Sequence, residues 1–328
     1  MKRTLFRILA FPMPTRRLRN FIRRLGGDKK INIPTNIIVK NILNGYFDLS
    51  KTPPAYGFLK YIQAANLKLL KAFDTFATNN KIQYFMIGGA IVGKIRHDAC
   101  IPWDDDIDIG MDGNNYEKFI AAIRKIIPNQ HFYIYFSSNV CKIIHTETNS
   151  FIDILRYDLH QTPHCYSEIG EKIIIKLQNK FIHKVQNRRF LSFDITNDMS
   201  KDEICVKYNA VKKDLDEIRK LQKKYFKPCG GYQTIVPLHA DCKPGEFYSQ
   251  DTIYPIRKLE FNGYTLPFPN DMELYAAKCW GDIWHFPADM FRTHALTKNK
   301  TPQKLLNLRK FLSKSDDVIY ADFSNNKG

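Results

Sequence analysis

The sequence predicts an α/β (α+β) protein whose mixed sheet is flanked by helices, with additional helices and a basic N-terminal segment. Helix-like and strand-like patterns alternate between residues 57 and 157. A glycine pair follows the first strand-like run, as expected for a tight turn between a strand and a helix. With 328 residues and 44% hydrophobic content, the chain is long and apolar enough to bury a sizeable core.

The individual elements follow from the spacing of apolar residues. Intervals of three and four predict helices, and short apolar or alternating runs predict strands. In chain order they are a helix over 61–80, a strand over 82–87, a helix over 90–96, an acidic strand over 104–109, a helix over 114–127, and strands over 131–136, 140–146 and 151–157. A helical insertion is expected at about 165–227, made of a basic amphipathic helix and a second charged helix over 201–227. Loops rich in proline and glycine are expected from Pro228 to Pro255.

The formal net charge of +17 is concentrated at the N-terminus. Residues 1–30 hold ten lysines and arginines against one aspartate, interleaved with leucine, phenylalanine and isoleucine. None of these apolar runs approaches the roughly 20 residues that span a bilayer. The pattern suits the anionic inner face of a membrane, and a solvated basic tail or a nucleic-acid patch are the alternatives. A Pro- and Gly-containing boundary then separates a basic segment, 1–56, from the main domain, 57–328.

The cysteines bear on the cellular compartment. Seven are scattered along the chain without a CxxC pair, which indicates a reducing environment rather than a disulfide framework. Together with the basic N-terminus, this predicts a cytoplasmic protein at the inner membrane face.

The most informative stretch is IPWDDDIDIG, residues 101–110. On an extended strand Asp104, Asp106 and Asp108 would share one face, where like charges repel and raise one another's pKa. A divalent ion resolves this repulsion, and an all-oxygen ligand set suits magnesium or manganese. An EF-hand is excluded, because Ile109 and Asn115 stand where that loop needs glycine and glutamate.

A second feature lies just upstream of the acidic run. Gly88 and Gly89 can let the backbone approach a phosphate, which the start of the next helix would also bind. Lys94 and Arg96 on that helix can add charge-assisted hydrogen bonds. With Asp153 in FIDI on a neighbouring strand, the carboxylates could hold metal ions that neutralise a phosphoryl group.

Other functions fit part of this pattern. A DxD glycosyltransferase that uses a nucleotide-sugar would explain Asp106 and Asp108 but not the glycine pair. A nucleic-acid nucleotidyltransferase would explain the carboxylates and the charge. A non-catalytic polyanion-binding module would explain only the basic surfaces.

Residues 88–119, GGAIVGKIRHDACIPWDDDIDIGMDGNNYEKF, resemble the signature of the LicD family of phosphorylcholine-transferase-like proteins, which includes the fukutin-related enzymes. The resemblance continues at FIDILRY (151–157) and, more loosely, at 258–269 and 274–294, within a C-terminal block at about 255–295. The chain departs from the family in Cys279-Trp280-Gly281-Asp282, where a tyrosine usually precedes the Gly-Asp pair.

The resemblance implies a nucleotidyltransferase-type fold that moves phosphocholine, or a related alditol or head-group phosphate, from a CDP-activated donor. The acceptor would be a sugar or alditol hydroxyl of a cell-surface glycan precursor, as in teichoic acid or capsule, and the cofactor Mg²⁺ or Mn²⁺. The implied catalytic residues are Asp106, Asp108 and Asp153, and the implied metal ligands are Asp104, Asp106, Asp108 and Asp153. The implied donor-phosphate residues are Gly88, Gly89, Lys94, Arg96 and His97. The implied site-shaping residues are Trp103 and His294.

Overall fold

The computed structural model describes residues 48–186, 188–238, 245–284 and 301–324. They fall into two units, of which the smaller comprises residues 48–52 and 282–284. It contains one 3₁₀ turn, Leu49–Lys51, whose N-cap Asp48 accepts a hydrogen bond from the Ser50 amide. The basic segment 1–30 and His294 lie outside the described residues.

The larger unit comprises residues 53–281 and 301–324 and has the predicted mixed α/β architecture. Its helices are α1 (Gly57–Asn79), α2 (Gly89–His97), α3 (Gly113–Ile123), α4 (Glu168–Gln186), α5 (Lys201–Tyr225), α6 (Gln250–Ile253), α7 (Met272–Trp280), α8 (Pro302–Ser313) and α9 (Asp316–Ser324). Its strands are β1 (Phe85–Met86), β2 (Asp108–Asp112), β3 (Phe132–Ser137), β4 (Cys141–His145), β5 (Phe151–Thr162), β6 (Ser192–Ile195), β7 (Tyr232–Pro237), β8 (Tyr248–Ser249), β9 (Arg257–Phe261) and β10 (Tyr264–Phe268).

The main sheet has the strand order β1-β2-β5-β4-β3-β6. Strand β2 runs parallel to β5, whereas β1, β4, β3 and β6 each pair antiparallel with their neighbours. Strand β5 is long enough to pair with β4 through its first half and with β7 through its second half, along the same edge. The hairpin β9–β10 forms a separate two-stranded sheet. The long strand β5 is therefore the centre of the sheet.

Helix α1 packs on the core through the apolar face that its sequence predicts. Its apolar residues at intervals of three and four, including Ile62, Leu69, Phe73 and Phe76, are buried. The opposite face is more exposed, as expected of an amphipathic helix covering a sheet. Helices α8 and α9 pack against α1 and close this side of the core.

Several predicted segments differ from the observed structure. The predicted helix over 114–127 ends at Ile123. The predicted strand over 82–87 is reduced to Phe85–Met86, because the Ile82 amide donates to the Ala77 carbonyl and the Gln83 amide donates to Asn115 Oδ1. The prediction of loops over 228–255 is wrong. Strands β7 and β8 and helix α6 form there, because the second half of β5 offers a free edge with which β7 pairs.

Helix lengths and hydropathy bear on membrane topology. Within the described ranges, no helix combines the length and the apolar character that crossing a bilayer requires.

Candidate active site

Three charged side chains lie side by side across the centre of the sheet. Asp108 on β2 is the register partner of Asp153 on the parallel strand β5. Asp153 is in turn the partner of Lys142 on the antiparallel strand β4. Residues in register on neighbouring strands present their side chains on the same face. Lys142 Nζ donates to both carboxylate oxygens of Asp153, at 2.7 and 2.6 Å.

The acidic run is a loop held by helix α1, and the prediction of a strand over 104–109 is wrong for its first half. Strand β2 begins only at Asp108. Gln63 Nε2 donates to the carbonyls of Ile101 and Asp104, at 2.8 and 2.7 Å. Because a side chain binds these carbonyls, the backbone there has no need of a strand partner.

A buried asparagine ties the loop to the central strand. Asn66 Nδ2 donates to the Asp105 carbonyl at 3.0 Å, and Asn66 Oδ1 accepts from the Phe151 amide at 3.1 Å. In addition, the Asp153 amide donates to the Ile107 carbonyl at 2.9 Å. These bonds fix the carboxylates of the loop beside the start of β5.

The loop brings Asp105 into the acidic group, although the alternation of a strand would have put its side chain on the face opposite to Asp104 and Asp106. One carboxylate oxygen each from Asp104, Asp105 and Asp106 lies within 4.8 Å of the others. Asp105 is buried, while Asp104 and Asp106 are partly exposed. The described loop therefore gathers three carboxylates, of which Asp104 and Asp106 lie close enough to act electrostatically on Asp108.

The predicted glycine turn packs directly on these carboxylates. Gly88 caps helix α2 with a φ of +63°, a conformation that favours glycine. A methyl group on Gly88 would lie 2.5 Å from Asp108 Oδ2, and one on Gly89 would collide with Asp104 Oδ2. The turn and the acidic run thus meet at one place, as the sequence indicated. Only glycine lets the start of α2 approach so closely.

The carboxylates of the cluster affect one another electrostatically. Burial raises the pKa of Asp108 well above its usual value, and the charges of Asp106, Asp153 and Asp104 raise it further. Lys142 acts in the opposite direction. Because these carboxylates lie close enough to raise the pKa of Asp108, their oxygens fit a hard divalent cation such as Mg²⁺.

An arginine, a histidine and a tryptophan lie together at the C-terminal end of α2. Arg96 is buried, and its Nε donates to His97 Nε2 at 2.9 Å. Its guanidinium carbon lies 5.2 Å from the centre of the Trp103 ring, and the His97 and Trp103 rings meet edge to face. Trp103 immediately precedes the acidic run, so this group borders it. The Lys94 ammonium pairs instead with Asp98, the C-cap of α2.

The structure thus brings together Gly88, Gly89, Asp104, Asp108 and Asp153. Sequence reasoning missed Gln63, Asn66, Asp105 and Lys142 as parts of this site. Two signals were available, because Asn66 is a polar residue within the apolar stripe of α1, and Lys142 interrupts an apolar strand. Asp105 had no such signal, since its inclusion depends on the path of the loop.

Comparison with known proteins places this site in a family domain. Residues 81–197 match the family model described as LicD/FKTN/FKRP, nucleotidyltransferase domain. The matched segment runs from the end of α1 to just past β6 and so contains all of the acidic residues of the site.

Three curated relatives are similar over shorter segments. The lipopolysaccharide cholinephosphotransferase LicD of Haemophilus influenzae is 40% identical over 62 residues, which are 19% of this chain and 23% of the relative. An uncharacterised protein of Rickettsia prowazekii is 34% identical over 97 residues, which are 26% of this chain and 35% of that protein. An uncharacterised protein of Rickettsia typhi is 28% identical over 107 residues, which are 30% of this chain and 34% of that protein. The chain therefore spans about a quarter to a third of the length of these relatives.

Proposed function

Since this chain belongs to the LicD family through its nucleotidyltransferase domain, we propose that it transfers a phospho-substituent from a CDP-activated donor to a hydroxyl group of a cell-surface glycan precursor. The observation that carries the proposal is the register pairing of Asp108 with Asp153, with Gly88 packed against the Asp108 carboxylate. A phosphate-approaching turn and a carboxylate cluster in contact are what phosphoryl transfer requires.

Each part of the site has a role in this reaction. The Gly88–Gly89 turn and the first amides of α2 would bind donor phosphate oxygens, and Arg96, at the other end of α2 against Trp103, would contribute positive charge near the acidic run. Asp104, Asp106, Asp108 and Asp153 would hold Mg²⁺ or Mn²⁺, which would supply positive charge to offset that of the transferred phosphoryl group. Trp103 and His97 would border the entrance.

The reaction exchanges one phosphoryl-ester bond for another. The acceptor oxygen forms a bond to the phosphorus of the transferred group, and the bond from that phosphorus to the CMP leaving group breaks. The acceptor hydroxyl proton would pass to Asp153, which lies in register with Asp108 on the neighbouring strand. Lys142, which binds both oxygens of that carboxylate, would hold it in position.

Phosphocholine is the first donor group to test, because one relative is named a lipopolysaccharide cholinephosphotransferase. The purified protein would be incubated with Mg²⁺ or Mn²⁺ and, separately, CDP-choline, CDP-ribitol, CDP-glycerol, UDP-glucose and nucleoside triphosphates, each with glycan acceptors. Release of CMP in step with acceptor modification supports the proposal. Release of UDP would favour a glycosyltransferase. Release of pyrophosphate would favour a nucleic-acid nucleotidyltransferase, and the absence of any nucleotide release would favour a non-catalytic polyanion-binding module.

A matched pair of variants connects this activity to the site. We expect Asp106→Asn to lower turnover by several orders of magnitude, because it removes a metal-ligand charge without changing side-chain shape. Asp194→Asn, an equal charge change at an exposed position of β6, should leave turnover unchanged. Near-normal activity of the Asp106 variant in excess metal would remove that residue from the site.

We also propose that the protein works at the anionic inner face of a membrane, on the basis of the charge of residues 1–30. Deleting these residues should weaken binding to anionic vesicles but spare turnover of a short soluble acceptor. Raised salt should imitate the deletion, because it screens surface charges. Unchanged vesicle sedimentation of the truncated protein would contradict the proposal.

A further inference from the structure

Helix α4 presents an outward face of lysines and isoleucines. The inward face is fixed, because Ile174, Phe181 and Val185 are buried. Positions three, four and seven apart lie together on the other side of a helix. There the side chains form what we call the α4 basic face: Ile169, Lys172, Ile173, Lys176, Lys180 and Lys184.

The charge of this face is uncompensated along most of its length. Helix α4 has two carboxylates, both in its first turn. Glu168 pairs with Lys172 at 2.6 Å, and Glu171 pairs with Lys278 of helix α7. Within the described ranges, no carboxylate lies within ion-pair distance of Lys176, Lys180 or Lys184.

The isoleucines distinguish the face from an ordinary solvated one. Ile169 is 74% exposed and Ile173 is 37% exposed, both on the first turns of the helix. Large aliphatic side chains interleaved with lysines suit the boundary between lipid headgroups and acyl chains. The imidazole of His183 is exposed on the same side, but this side of the helix has no phenylalanine, tyrosine or tryptophan, the rings on which nucleic-acid bases stack most readily.

We propose that the α4 basic face docks on an anionic lipid bilayer, with Ile169 and Ile173 entering the headgroup region and the lysines contacting lipid phosphates. This face is made of residues other than the basic segment 1–30. The proposal rests on the exposure and charge of α4 and does not depend on phosphotransfer, so vesicle binding tests it without an activity assay.

The first test compares two helices of the same protein. The full chain carrying Lys172→Gln, Lys176→Gln, Lys180→Gln and Lys184→Gln should bind vesicles of 70% phosphatidylcholine and 30% phosphatidylglycerol at least about tenfold more weakly. The control carries four equal changes at exposed lysines of helix α5: Lys212→Gln, Lys213→Gln, Lys220→Gln and Lys224→Gln. The control variant should bind the same vesicles less than about twofold more weakly than the wild type, since acidic residues are interspersed along α5. Equal losses in the two variants would overturn the proposal, as would unchanged binding by the α4 variant. Circular dichroism would establish that both variants fold.

The second test locates the contact even if residues 1–30 also bind lipid. A photo-crosslinking amino acid at position 169 of the full chain should form adducts with lipid, and one at position 206 of α5 should not. Val206 is the matched position, because it is 67% exposed on its own helix. Absence of lipid adducts from position 169 while the protein is vesicle-bound would refute the docking face. Competition by poly(U) RNA that abolishes wild-type binding but spares the α4 variant would instead identify a nucleic-acid surface and overturn the proposal.

Discussion

The pairing of Lys142 with Asp153 predicts a stability defect that magnesium repairs. Both side chains are largely buried, at 28% and 13% exposed, and the ammonium binds both carboxylate oxygens. Replacing Lys142 with methionine keeps the aliphatic stem but removes the ammonium group that binds Asp153. Removing one partner of such a charged hydrogen-bonded pair costs about 1–3 kcal/mol, so the free energy of unfolding should fall by that amount in metal-free buffer.

Magnesium should reverse this loss, because a divalent ion offsets the same charges. A ligand at 100 times its dissociation constant adds about 2.7 kcal/mol to the free energy of unfolding. The variant should gain more from magnesium than the wild type does, since in the wild type Lys142 occupies both oxygens of Asp153 in the metal-free state. Urea unfolding followed by circular dichroism, with EDTA or with millimolar Mg²⁺, measures both quantities.

A second buried lysine provides the control. Lys278 pairs with Glu171, packs 4.5 Å from the centre of the Phe247 ring and is 14% exposed, at a site without clustered carboxylates. Lys278→Met should therefore be destabilising, and magnesium should stabilise it by the same amount as the wild type, without the extra gain expected for Lys142→Met. If magnesium stabilises wild type, Lys142→Met and Lys278→Met equally, then Lys142 does not share its carboxylate with a metal ion, and the reasoning fails.

Three further predictions follow from the same geometry. Asp108→Asn should raise the free energy of unfolding in metal-free buffer at neutral pH, because the raised pKa of Asp108 shows that the fold disfavours its charge. In urea titrations the same variant should no longer be stabilised by magnesium. Gly89→Ala should lower turnover by about 100-fold, because the new methyl group displaces the Asp104 carboxylate, whereas Gly231→Ala, where nothing lies within 4 Å, should leave steady-state rates unchanged. Burial, followed by the charges of nearby Lys314 and His131, lowers the pKa of His145 to about 4 from an ordinary 6.5, so the folded state binds fewer protons than the unfolded one. The His145 contribution should lower stability by up to about 3 kcal/mol as pH drops from about 6.5 to 4, and the fall measured for His145→Gln across that window should be smaller than that of the wild type by this amount.

Much of the sheet could be predicted from the sequence, because the spacing of apolar residues and the residues that form turns depend only on neighbours along the chain. The apolar intervals of three and four located α1, and the Gly88–Gly89 pair located the turn before α2. The short alternating runs located β3, β4 and β5 to within one residue at their starts. These elements depend on side chains that are close together in sequence, so the sequence pattern predicts them correctly.

The errors arose where a partner distant in sequence decides the local structure. Residues 104–107 resemble a strand by alternation, but Gln63 and Asn66 of α1 bind their carbonyls and make them a loop. Strand β7 forms because β5 extends beyond β4, and nothing near Tyr232 indicates how long β5 is. Lys142 acquires its role only once β4 aligns with Asp153.

The position of β5 between β2 and β4 also has a kinetic consequence. Strands β3, β4 and β5 are consecutive and antiparallel, so they can form an early local meander, whereas β2 is separated from β5 in the chain by α3, β3 and β4. The carboxylates of Asp108 and Asp153 would then meet only at the last docking step, after the main folding barrier. A bound cation would stabilise the finished protein more than its folding transition state, so it would slow unfolding and leave the folding rate nearly unchanged. Free magnesium in the cell would then govern the lifetime of each folded molecule.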